Sequence, residues 1–135
     1  MKIIFIGTPG EAANCLIELN KIFDVVFVYT RKDKIRDRGT KKTFTPVKKT
    51  AIELKIDYST SEPNSEFLKT LEAGMIILCA YGAKLKPDII NSVRIGAYNI
   101  HPSLLPKYRG ASPVITAILQ GEQYTGVSVM KMDEG

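Results

Sequence analysis

Apolar positions along the 135-residue chain fall into short runs and helical stripes that alternate with one another. Lys2 to Ile6 is an apolar run closed by Gly7, and Val25 to Tyr29 is a β-branched and aromatic run. Both have the length and composition of buried strands. Between them Ala12, Leu16, Leu19 and Ile22 recur at helical spacing. Pro46 to Leu54 predicts a second helix, with proline in its first turn and Val47, Ala51 and Leu54 on one face. Ile56 to Tyr58 is a short strand candidate, and Glu62 to Leu71 a helix with Phe67, Leu68 and Leu71 clustered. Met75 to Ala80 is fully apolar, as a central strand requires, and Pro87 to Asn91 starts a short helix. The apolar segment Val93 to Ile100 ends as another strand. Ala111 to Leu119 predicts a helix with Val114, Ile115 and Ile118 as its apolar face and Gly121 as its cap. Thr125 to Met132 alternates and reads as a last strand. Strands alternating with helices predict an α/β fold, an open and mostly parallel sheet with helices on both faces.

One stretch breaks the alternation. Thr30 to Phe44 has no apolar period, and a connection of that length in an α/β unit is expected to be functional or disordered. It is also where the charge lies. Residues 31–49 hold nine Lys or Arg against two Asp, so this segment contributes +7 and the rest of a +5 chain sums to −2. Such a cluster suits a polyanion, nucleic acid being the commonest, or else a solvated loop that aids solubility. The 44% hydrophobic and 24% charged content is that of a soluble globular domain. No apolar run approaches the ~20 residues that span a bilayer. Cys15 and Cys79 lie in apolar segments without metal or redox spacing, as expected of buried free thiols in a reducing cytoplasm. The opening strand, glycine turn and helix have the form of a dinucleotide-binding unit but lack its G-x-G-x-x-G fingerprint.

Candidate chemistry gathers at Tyr98-Asn99-Ile100-His101-Pro102-Ser103-Leu104-Leu105-Pro106-Lys107-Tyr108-Arg109-Gly110, which carries the sole histidine. Asn99 and His101 are two apart, so in a strand they point to the same side. A carboxamide beside an imidazole can bind a developing oxyanion and shuttle a proton, the chemistry of acyl transfer. The alternative for His101 is a polar residue at a strand end, and for the leucines ordinary core packing.

The stretch closely resembles the signature of the folate-dependent formyltransferases, Asn-x-His-x-Ser-Leu-Leu-Pro-x-x-Arg-Gly, at every specified position. Within that group Gly7-Thr8-Pro9, Gly126-Val127 and Met132-Asp133-Glu134-Gly135 resemble the methionyl-tRNA formyltransferases, with Glu11 where those usually have Phe. The resemblance implies a Rossmann-like formyltransferase fold and Asn99 and His101 as catalytic residues. It implies 10-formyltetrahydrofolate as co-substrate, without a metal, with Tyr81, Gly82, Ser103, Leu104, Leu105 and Pro106 at the folate pocket. A cis Leu105–Pro106 peptide is expected on the same ground. For Tyr81 a packed aromatic at a strand end is the other reading. Initiator Met-tRNA is the implied partner, contacted by Arg31, Lys32, Arg36, Arg38, Lys41 and Lys42, in a cytoplasmic and monomeric enzyme. The likeness covers all 135 residues and puts a third catalytic residue, an Asp, two positions beyond Gly135. It implies that residues 1–135 are the N-terminal part of the catalytic domain, incomplete at its C-terminus, with a β-rich tRNA-binding domain absent. On that reading the chain alone has impaired or no activity. The alternatives are a non-catalytic folate- or RNA-binding fragment, or a formyltransferase acting on glycinamide ribonucleotide or an amino sugar.

Overall fold

The structure is a computed structural model that describes residues 1–36 and 41–134. In chain order the elements are β1 (Lys2–Gly7), α1 (Gly10–Ile22), β2 (Asp24–Tyr29), β3 (Lys34–Arg36), β4 (Lys41–Thr43) and α2 (Pro46–Glu53). Then follow β5 (Tyr58–Ser59), α3 (Ser65–Thr70), β6 (Met75–Cys79), α4 (Pro87–Ile90), β7 (Gly96–His101), α5 (Pro113–Leu119) and β8 (Ser128–Lys131). Six strands form one sheet in the order β5-β2-β1-β6-β7-β8. Every pairing in it is parallel except that of β7 with β8. The expected α/β sheet is therefore what the chain forms.

β1 shows why both faces are covered. Ile3, Ile4, Phe5 and Ile6 are all fully buried, because successive side chains enter opposite layers. Ile4 and Ile6 join Ile76, Leu78, Leu68, Ile89 and Ile90, the layer beneath α3 and α4. Ile3 and Phe5 join Val28, Ile77, Ala12, Leu16, Val47 and Ala51, the layer beneath α1 and α2. Each buried Ile, Leu, Val or Phe among them contributes roughly 1.5–3 kcal/mol relative to an exposed one. Gly7 ends β1 where a Cβ would lie 2.7 Å from the Cys79 carbonyl oxygen and 2.8 Å from Ala12 Cβ, so no larger residue fits unless the backbone moves.

Several expectations need correction. Thr30 to Phe44 contains an antiparallel pair, β3 with β4, whose three residue pairs run from Lys34↔Thr43 to Arg36↔Lys41. Lys34, Ile35, Lys42 and Thr43 are exposed, so no apolar period announces the pair. The short strand is Tyr58–Ser59 rather than Ile56–Tyr58, because Ile56 donates its N–H to Ala51 and closes α2. α3 begins only after Asn64, whose side chain caps it by accepting from Phe67 N–H at 3.0 Å. α5 docks through Pro113 and Ala117, so Val114, Ile115 and Ile118, its expected packing face, are 48%, 60% and 72% exposed. Ile22, in the last turn of α1, is exposed, and Cys15 is half-buried rather than buried.

Candidate active site

β1, β2, β5, β6 and β7 run parallel, so their carboxyl ends share one edge, where open α/β sheets bind ligands. Asn99 and His101 lie on one face of β7, the last strand of this parallel set, and His101 is its final residue. Both are half-buried. The chain turns at once, with Ser103 N–H donating to the His101 carbonyl at 2.8 Å. The Leu105–Pro106 peptide is cis. Ser103, fully buried, donates its hydroxyl to the Lys107 carbonyl at 2.7 Å. Ser128, across the antiparallel pair from His101, donates to the Ser103 carbonyl at 2.7 Å and accepts from Leu105 N–H at 3.1 Å. His101 Nε2 lies 2.8 Å from the Tyr108 carbonyl oxygen. A carbonyl only accepts, so Nε2 carries a proton and the neutral ring leaves its lone pair on Nδ1.

A second feature opens beside this loop. A cavity of about 1220 Å³ is lined by the Thr8–Gly10 turn, Arg31, Lys32, Lys34, Thr43 to Pro46, Lys49, Thr60 to Glu62 and Ala80 to Gly82. The start of α1 and four cations thus face one space, which suits an anion. Thr8 Oγ1 donates to the Tyr81 carbonyl at 3.2 Å, tying the ends of β1 and β6 together. Ala80 and Gly82 both adopt positive φ as the chain leaves β6. Tyr81 is buried, and its hydroxyl pKa is pushed up by that burial, with the Arg31 guanidinium opposing it. Arg31 lies 5.8 Å from the centre of the Tyr81 ring. The base of the cationic hairpin is fixed by a largely buried ion pair, Lys48 Nζ to Asp33 Oδ2 at 2.6 Å. The same ammonium sits 3.8 Å from the centre of the Phe44 ring.

The sequence-predicted residues thus form two groups. Tyr81, Gly82, Arg31 and Lys32 line the cavity, and Lys42 is exposed on β4. Asn99, His101, Ser103, Leu104, Leu105 and Pro106 form the neighbouring loop system and are not among the cavity's lining residues. β6 pairs with β7 through Cys79↔Ile100, so Tyr81 and Pro102 leave adjacent strand ends. Leu104 is half exposed, whereas Ser103 is completely enclosed. Arg36 and Lys41 pair through the backbone of the hairpin, and Arg38 lies outside the described residues. Sequence reasoning missed the cavity roles of Thr8 to Gly10, Thr45 and Lys49, and the bridging hydroxyl of Ser128. The Gly-Thr-Pro turn directly after a strand was the available signal for the first of these.

Cys15 and Cys79 are free thiols 3.9 Å apart. Burial, and then the neighbouring Cys15, push the Cys79 thiol up to about 12. Among the described residues no cluster of three His, Cys, Asp or Glu could hold a metal, and no helix is long and apolar enough to cross a membrane.

Comparison with solved structures finds the fold of phosphoribosylglycinamide formyltransferase from Bacillus halodurans, with a TM-score of 0.76 and 20% identity over 100% of this chain and 73% of that one. A 4-N formyltransferase from Francisella tularensis aligns with a TM-score of 0.65 and 18% identity, covering 99% of this chain and 51% of that one. At such identities the likeness establishes the fold. The family model described as Formyl transferase matches residues 1–135. The chain belongs to the formyl transferase family. Among curated relatives it is 44% identical over 138 residues to the methionyl-tRNA formyltransferase of Thermotoga maritima, covering 98% of this chain and 44% of that protein. It is also 44% identical over 143 residues to that of Kosmotoga olearia, covering 100% of this chain and 45% of that protein. The chain thus spans less than half the length of these formyl transferase relatives.

Proposed function

We propose that residues 1–135 are the N-terminal part of the catalytic domain of a methionyl-tRNA formyltransferase, and that Asn99 and His101 act in formyl transfer from 10-formyltetrahydrofolate to the amine of initiator Met-tRNA. The observation that carries this reading is the pairing of two features at one sheet edge. A carboxamide and an imidazole share one face of β7, and the cation-lined cavity opens beside them.

The co-substrate supplies an activated formyl group. The Ser103 to Pro106 loop fits its flat, hydrogen-bonding ring, because the backbone there is fixed by Ser128 and presents a half-exposed Leu104. As the amine adds to the formyl carbon, negative charge develops on the formyl oxygen, and the Asn99 side-chain N–H donates to it. The amine must shed a proton while the folate nitrogen gains one, and His101 carries it through Nδ1. By resemblance, an Asp two positions past Gly135 would stand near His101, where its charge would favour the imidazolium formed in transit. Arg31, Lys32 and Lys42, with the other hairpin cations, meet the phosphates of the acceptor arm, which gives salt-dependent affinity with little sequence readout.

The test is formyl transfer from 10-formyltetrahydrofolate to Met-tRNA, with glycinamide ribonucleotide as a control amine. Residues 1–135 are compared with a chain extended through the following Asp and the rest of the domain. Turnover of Met-tRNA by the extended chain, lost by two or more orders of magnitude in its Asn99→Ala and His101→Ala variants, supports the reading. Turnover of the control amine alone moves the substrate elsewhere.

A further inference from the structure

The loop that holds His101 is itself held from outside. α5 ends in a Schellman arrangement: Gly121 N–H bonds the Ile118 carbonyl and Glu122 N–H bonds the Ala117 carbonyl, with Gly121 at φ +66°. This turn carries Glu122 back toward the loop. There its Oε1 accepts from the Tyr108 hydroxyl at 2.5 Å and from Lys107 Nζ at 2.9 Å. These two residues are also the ones whose backbone carbonyls receive Ser103 Oγ and His101 Nε2. Tyr108 stands at φ +55°, a left-handed conformation that an aromatic residue keeps only where its surroundings impose it. The hydrogen bond from Tyr108, then the bond and charge of Lys107, hold the Glu122 carboxyl below its usual range, so it stays ionised.

We propose that Glu122 is a positioning residue for His101: by anchoring the Tyr108 and Lys107 side chains, it aims the Tyr108 carbonyl at Nε2 and fixes the imidazole with its proton there and its lone pair on Nδ1. The inference rests on the proposed role of His101 in proton transfer, but its physical core does not need catalysis. Glu122 bonds the Tyr108 hydroxyl and the Lys107 ammonium rather than the imidazole. It acts through two residues, and because the Lys107 end of the clamp is well exposed, its work is directional more than cohesive.

His101 is the sole histidine, so imidazole ¹⁵N resonances of the labelled chain belong to one ring. At the alkaline plateau of these resonances, where the ring has lost its second proton, the expected spectrum has a protonated Nε2 and a bare Nδ1. Glu122→Ala and, separately, Tyr108→Phe move both shifts toward the average of two exchanging tautomers, while Glu122→Gln, which still accepts from Tyr108, keeps most of the native pattern. In the extended enzyme the same two variants lower kcat by roughly tenfold or more, at or below the low end of what general acid–base groups contribute, with KM for the folate unchanged. A native ring protonated on Nδ1, or shifts indifferent to both variants, overturns the proposal. Should Glu122→Ala not fold by circular dichroism, Tyr108→Phe decides alone. If formyl transfer is absent in every chain yet the tautomer answers to Glu122, the functional reading falls and the positioning role stands.

Discussion

Two loop systems crown the same sheet edge, and they are held by different forces. On the β2 side the hairpin base depends on charge: Lys48 and Asp33 pair at 2.6 Å with side chains only 12% and 14% exposed, and Phe44 lies against the ammonium. The pairing is incomplete, because Asp33 Oδ1 is buried and has no hydrogen-bond partner among the described residues. On the β7 side the loop depends on neutral hydrogen bonds to backbone carbonyls, with the Lys107–Glu122 ion pair at the rim. A buried charge is costly once its partner is removed, whereas a mesh of neutral bonds loses members one at a time. The first system therefore fixes where a cationic arm stands, and the second fixes the angle of individual groups.

The sharpest way to break this contrast is to strand the buried carboxylate. Lys48→Met should destabilise the protein by about 3–5 kcal/mol in urea unfolding, the range for a buried pair that loses one partner. The double variant Asp33→Asn with Lys48→Met should recover most of that. A Lys48→Met cost below about 1 kcal/mol would mean that the hairpin base does not rest on this pair. Next in size is Gly7→Ala, which disturbs the floor common to both systems. Its added Cβ meets the Cys79 carbonyl and Ala12, so a loss of about 1–3 kcal/mol is expected, as for overpacking. No change in stability would mean that β1, β6 and α1 separate more readily than their packing implies.

The two regions also differed in how legible they were. The β7 system announced itself because Asn99 and His101 share a strand face by simple alternation, and the prolines mark where the strand must stop. The cis Leu105–Pro106 peptide, expected from resemblance alone, is present. The strands of the sheet were readable because burial on both faces demands unbroken apolar runs. The hairpin was not, because β3 and β4 pair through their backbones and Lys34, Ile35, Lys42 and Thr43 are exposed, which leaves no apolar period. Nor was the lining of the cavity, which takes in Tyr81 and Gly82 but not Ser103 to Pro106. Ser128 and Glu122 were hidden by distance along the chain. Gly121 was visible as a helix cap, but only geometry shows where that turn sends the next side chain.

Ser128→Ala probes the neutral mesh directly. It removes the donor to the Ser103 carbonyl and the acceptor of Leu105 N–H at once. Two part-buried backbone groups left unmet predict a loss of about 1–2 kcal/mol, clearly less than that for Lys48→Met. Unfolding midpoints of the two variants side by side test the ranking, and a reversal would mean that the loop rather than the ion pair is the stiffer structure.

The smallest effect separates the two carboxylates by pH and salt. Glu122 is held below its usual pKa, chiefly by the Tyr108 hydroxyl and then by Lys107. A lowered folded-state value means a stabilisation present above the unfolded value near 4.5 and lost as pH falls through the folded one. Tyr108 and Lys107 are raised, mainly by the hydrogen bond to Glu122, so their share is complete below about 10 and fades as pH climbs beyond. The unfolding midpoint of the native chain should therefore exceed that of Glu122→Gln across neutral pH, and the two should converge in acid. The exposed clamp should also weaken as salt rises from about 0.1 to 1 M, where screening shortens from about 10 to 3 Å, while the gap between native and Lys48→Met persists. Equal salt sensitivity in the two gaps would place both ion pairs in the same surroundings, against the burial that distinguishes them.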